Sequence, residues 1–106
     1  MRFCFLINPS NDWQQAVEHC LQLAKQAHID HELAGVFFYG TSVHITQDIE
    51  RQTQWQILTD CPLFVCRTMM DELHLSEQDV TAPFKVIGMA PWIMTMEQAD
   101  RIVEII

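Results

Sequence analysis

Glycine and proline are scarce in this chain of 106 residues, at 3 and 4, and lysine plus arginine number only 6. With 49% hydrophobic residues, that shortage of breakers excludes a low-complexity or disordered chain and predicts a packed core needing neither metal nor disulfide staples. Six scattered cations against 14 acidic residues, a net charge of −8, argue against nucleic acid as a partner, because a phosphate backbone is bound through a stripe of Lys and Arg. The acidic balance suits a basic protein partner as well as solubility. No apolar run approaches the roughly 20 residues that a bilayer span requires, so no membrane attachment is expected. Gly-x-Gly-x-x-Gly, a phosphate loop ending Gly-Lys-Ser/Thr, Gly-x-Ser-x-Gly and Cys-x-x-Cys are all missing, and with them the usual marks of nucleotide, serine-hydrolase and dithiol chemistry. No cofactor is called for.

What is present is an alternation of short apolar runs and helical patterns. Phe3 to Ile7, closed by Asn8-Pro9 with no small-residue cleavage site, reads as a strand buried on both faces rather than a signal peptide. Ser10, Asn11 and Asp12 offer N-caps for a helix from about 12 to 28, whose Ala16, Val17, Cys20, Leu21 and Ala24 fall on one side, and His28 to His31 breaks that pattern. Leu33 to Tyr39 is a second strand, and Thr46 or Asp48 caps a polar surface helix through about Leu58. Leu63 to Cys66 is a third strand, followed by a short helix from Arg67 to Leu73, and Phe84 to Ile87 a fourth, ended by Gly88. Met89 to Met94 suits a helix with Pro91 in its first turn, Thr95-x-x-Gln98 has capping-box spacing for a further turn, and Arg101 to Ile106 closes the chain as a fifth strand.

This alternation predicts a single three-layer α/β domain over residues 1–106, a five-stranded parallel sheet with helices on both faces. The commonest order for five such strands, the flavodoxin-type 2-1-3-4-5, puts the reversal between strands 1 and 3. Ligand or catalytic groups then collect at Asn8 to Asn11, Tyr39 to His44, Cys66-Arg67 and Gly88-Met89.

Cys66 draws attention there, where a strand ends and a helix begins: helix N–H groups and the neighbouring Arg67 favour charged sulfur. The plainer reading is a buried small hydrophobe. Cys61 lies at the opposite end of the same strand, about 15 Å away at the rise of an extended chain, too far for a disulfide. Cys4 and Cys20 read as packing residues, and the irregular spacing of the four cysteines fits a reducing cytoplasm. His28 and His31 form a His-x-x-His pair on the edge opposite Cys66, a weak metal signal, so no metal is expected. His44 follows strand 2 on the side where Cys66 emerges and could exchange a proton with it, although an exposed histidine without a role is the simpler account. Asn8 and Ser10 could hold an anion at the first helix, and Gly88 and Met89, with Trp92 and Ile93, could line a groove beside Cys66.

Five segments taken together, Met1-Arg2-Phe3, His31-Glu32-Leu33 with Val36-Phe37-Phe38-Tyr39, Leu63-Phe64-Val65-Cys66, Phe84 with Gly88-Met89, and Ala99-Asp100-Arg101-Ile102-Val103, resemble in order the DsrE-like proteins, especially the TusD/DsrE branch. The resemblance covers nearly the whole chain. It implies a parallel α/β fold, assembly as a homo- or hetero-oligomer, and a cysteine that accepts sulfane sulfur as a persulfide from a small TusA-like carrier and passes it on; Cys66 matches that cysteine. It leaves two functions side by side: a sulfur-relay protein working through Cys66, and a non-catalytic subunit or adaptor in which Cys66 is buried and inert. A basic carrier would meet the acidic residues Asp71, Glu72, Glu77 and Asp79 that follow Cys66.

Overall fold

In the computed structural model, which describes residues 1–58 and 60–106, the first apolar run is strand β1 (Arg2–Ile7), with Cys4, Phe5 and Ile7 buried. Asp12 is the cap residue used: its carboxylate accepts the Gln14 N–H at 2.9 Å and opens α1 (Trp13–Asp30), whose Ala16, Val17, Cys20, Leu21 and Ala24 form the buried stripe. The helix runs through the expected break at His28. No Gly or Pro interrupts residues 28–31, and the His31 N–H still bonds the Ala27 carbonyl at 2.9 Å.

Strand β2 (Glu32–Phe38) is followed by an unanticipated 3-10 segment, Gly40–Gln47, and then by α2 (Ile49–Trp55), capped by Asp48 and shorter than expected. Strand β3 (Leu63–Cys66), α3 (Arg67–Glu72), one 3-10 turn at Glu77–Asp79, β4 (Phe84–Ile87), α4 (Met89–Glu97) and β5 (Arg101–Ile105) complete the chain. Thr95 starts no new turn. It lies within α4, donating its hydroxyl to the Pro91 carbonyl at 3.1 Å, because Pro91 in the first turn removes no intrahelical bond and the helix continues unbroken.

The sheet is parallel throughout, but its order is β4-β3-β2-β1-β5, not the flavodoxin-type 2-1-3-4-5. The reason is burial. Leu33 to Phe38 are all buried, which suits a central strand with β1 and β3 on its edges and helices on its faces, whereas the flavodoxin-type order would leave β2 at an edge. The edges fall instead to β4, which carries exposed Lys85, and β5, which carries exposed Arg101 and Glu104.

The order also sets the layers. Three successive steps from β1 to β4 run the same way, so right-handed crossovers put α1, α2 and α3 on one face, and the return step to β5 puts α4 alone on the other. Neighbouring residues of β2 mark the two faces: Phe38 meets Trp55 of α2 edge-on at 5.0 Å, while Phe37 stacks on Trp92 of α4 at 4.8 Å. Gly35 lets α4 approach, since a Cβ there would stand 3.1 Å from the Phe64 ring and 3.3 Å from the Thr95 methyl.

Candidate functional site

Where adjacent parallel strands send their helices to opposite faces, a crevice opens at the strand C-termini. In this order that place is β3 beside β4: α3 leaves Cys66 toward one face and α4 leaves Gly88 toward the other, and Cys66 pairs in register with Ile87. The crevice thus differs from the expected one at β1 and β3, because β2 lies between those two strands.

Cys66 is both the last residue of β3 and the N-cap of α3. Alternation along β3 puts it on the same face as Phe64, whose ring meets the Trp92 indole at 6.3 Å. It is 1% exposed. Arg67 is exposed, and its Nε contacts Glu77 Oε2 at 3.2 Å, a surface pair of little stabilising value that holds the guanidinium over the crevice, 4.0 Å from where a Cβ on Gly88 would stand. Gly88 caps α4, Met89 opens it, and Met89, Ile93 and Met94 point outward while Trp92 is buried.

The remaining expected residues lie elsewhere. Asn8 lies beside Gly40, just past the end of β2: its Oδ1 is 3.1 Å from where a Cβ on Gly40 would be, and Gly40, at φ +60°, is a position that glycine suits. Ser10 is exposed in the same β1 loop. His44 lies in the 3-10 segment with its ring 6.1 Å from Trp13, in a cavity lined by Trp13, Gln47, Asp48, Ile49 and Glu50 and not by Cys66. Of the seven residues expected at the site, the structure gathers Cys66, Arg67, Gly88 and Met89. Glu77, which pairs with Arg67 from ten residues away, had no local signal for that role, whereas Trp92, expected in the groove, is buried and roofs this face of the sheet.

The other cysteines are committed to packing. Burial pushes up the thiols of Cys4, whose Sγ donates to the Thr95 carbonyl at 3.7 Å, and of Cys20 on the core side of α1. Burial, helped by Cys4, pushes Cys61 up to about 12. All four cysteines are free. Among the described residues no group of three or more His, Cys, Asp or Glu is placed to hold a metal, and His31 packs edge-on against Phe3 at 5.1 Å. No helix among them is long and apolar enough to cross a membrane.

The fold and the crevice are those of a parallel α/β domain with its distinctive site at a strand-to-helix junction. The sequence pattern described as the DsrE/DsrF-like family matches residues 1–105, and the chain belongs to that family. At that level its setting is sulfur relay. No curated protein matches it in sequence. Among solved structures it is similar to the crystal structure of the ychN protein from E. coli, with a TM-score of 0.66 and 15% identity over 98% of this chain and 99% of that one, a likeness of fold alone.

Proposed function

We propose that the protein is a sulfur-relay protein of the cytoplasm that carries sulfane sulfur on Cys66. The Cys66 thiolate attacks the outer sulfur of a donor persulfide; the donor's S–S bond breaks, the donor leaves as a thiolate, and Cys66 becomes a persulfide. An acceptor thiolate then attacks that outer sulfur and Cys66 leaves as a thiolate, so the two exchanges balance without an external oxidant or reductant. A small TusA-like carrier is the proposed donor, docking at exposed Asp71, Glu72, Glu77 and Asp79 beside the crevice.

The observation that carries this reading is the position of Cys66 at the only pair of adjacent described strands whose following helices depart to opposite faces, with Arg67 over the opening. A second reading, an assembly subunit with an inert cysteine, is favoured by the 1% exposure of Cys66. For relay to operate, the turn at Gly88-Met89 or the first turn of α3 must move aside during loading.

Intact-mass analysis after incubation with a persulfide donor separates the two. The wild-type protein and Cys61→Ser are expected to gain one sulfur each, and Cys66→Ser none, with its circular dichroism unchanged. Sulfur uptake by Cys66→Ser, or alkylation of Cys61 ahead of Cys66 by iodoacetamide below pH 7, would overturn Cys66 as the carrier, and no uptake by the wild-type protein would favour the subunit reading.

A further inference from the structure

One donor on the α4 side of the sheet has no use in the packing. Trp92 is 1% exposed, its indole N–H is cut off from water, and no acceptor among the described residues takes it. A buried donor left unpaired carries a desolvation cost, so it calls for a partner. Phe37 lies nearly parallel to the indole, at 18° and 4.8 Å, so the in-plane N–H is directed along the sheet surface and not into that ring.

The fold brings this donor to the end of β3. Phe64, whose ring meets the indole at 6.3 Å, is two residues before Cys66 on the same face, about 6.6 Å back along the strand. Gly88, the N-cap of α4, follows Ile87, the register partner of Cys66, so Trp92 stands about one helical turn from the same crevice. A persulfide lengthens the Cys66 side chain on this side of the sheet by one S–S bond, about 2 Å.

We propose that the Trp92 indole N–H is the hydrogen-bond donor that holds the outer sulfur of the Cys66 persulfide. The inference rests on the relay reading given above. A persulfide is more acidic than its parent thiol, so the outer sulfur passes its proton to the departing donor thiolate and is an anion at neutral pH. An anion shielded from water needs donors around it. Arg67 offers charge from the exposed side, and Trp92 offers a contact from within. The N–H is unpaired before loading and paired after it, which favours the loaded protein over the empty one. Trp55 provides the matched control, because its indole N–H is also buried and unpaired but it meets Phe38 on the opposite face of the sheet.

Glutathione persulfide is the probe, and intact mass reports whether Cys66 is loaded. In proton–nitrogen correlation spectra, loading is expected to move the Trp92 indole proton downfield while Trp13 and Trp55 stay in place. That shift should fade on acidification with the midpoint at which the near-ultraviolet absorbance of the persulfide anion is lost. Trp92→Phe keeps an aromatic ring and removes the donor, and it should raise that midpoint by about one pH unit, the loss of one hydrogen bond to a charged group. Water entering a loosened site would lower the midpoint instead, so the direction separates a lost donor from lost packing. Trp55→Phe should leave the midpoint unchanged. A wild-type protein that takes up no sulfur overturns the relay reading and this inference together. Loading on Cys66 with an unmoved Trp92 signal, a shift indifferent to pH, or equal midpoints in Trp92→Phe and wild type would overturn the inference alone. If Trp92→Phe does not fold, Trp13→Phe and Trp55→Phe assign the third signal by elimination, and the wild-type spectra decide.

Discussion

At the scale of single residues, the four cysteines divide by what surrounds them. Cys4 and Cys20 face helix–sheet packing, Cys61 precedes β3 at its N-terminal edge, and Cys66 ends the same strand between two helix beginnings. The raised Cys61 thiol has a consequence for stability. The unfolded chain releases that proton near the ordinary 9.0 and the folded chain holds it to about 12, so the stability linked to Cys61 is complete below pH 9 and is lost as pH rises toward 12. Across that window the urea midpoint of the wild-type protein is expected to fall more steeply than that of Cys61→Ala, and parallel slopes would show that another group governs the decline. Lone residues were also where sequence reading went furthest astray. Asn8 directly follows β1 and His44 lies in the segment after β2, as expected, but one stands beside Gly40 and the other beside Trp13, neighbours set by side-chain direction rather than by position along the chain.

At the scale of elements, α4 is the distinctive piece, because one nine-residue helix roofs a sheet face that three helices cover on the other side. Trp92 anchors it, stacked on Phe37 and edge-on to Phe64. Trp92→Ala should therefore cost about 3 to 5 kcal/mol in urea unfolding, the range for deleting a buried aromatic, and a loss under 1 kcal/mol would show that α4 is not held by this contact. Strands β3 and β4 were legible to the residue, since each is a short, mostly apolar segment bounded by a breaker, Pro62 before Leu63 and Gly88 after Ile87, with Lys85 the one charged residue between them. The 3-10 segment Gly40–Gln47 was not. Its buried Ser42 hydroxyl donates to the Tyr39 carbonyl at 2.6 Å and, less closely, to the Ile7 carbonyl at 3.2 Å, so it depends partly on a strand 35 positions away.

At the scale of the whole molecule, the outward side of α4 presents Met89, Ile93 and Met94, and edge strand β5 presents Ile102. That much apolar surface on one side of a small domain is expected to be covered by another subunit. Sedimentation at micromolar concentration should give an oligomer, with Ile93→Lys shifting it toward monomer while leaving the circular dichroism unchanged; a monomer at every concentration and salt level would remove this expectation. The sequence by itself determined that the fold is a parallel α/β sheet and that Cys66 falls at a strand-to-helix junction, because apolar runs, caps and breakers act over a few neighbouring residues. Only the tertiary structure decided the strand order, and with it the neighbours of Cys66. Local signals are alike in either order, and the choice rests on covering both edges of β2, which β1 and β3 do together, while helices on the two sides of the sheet cover its faces.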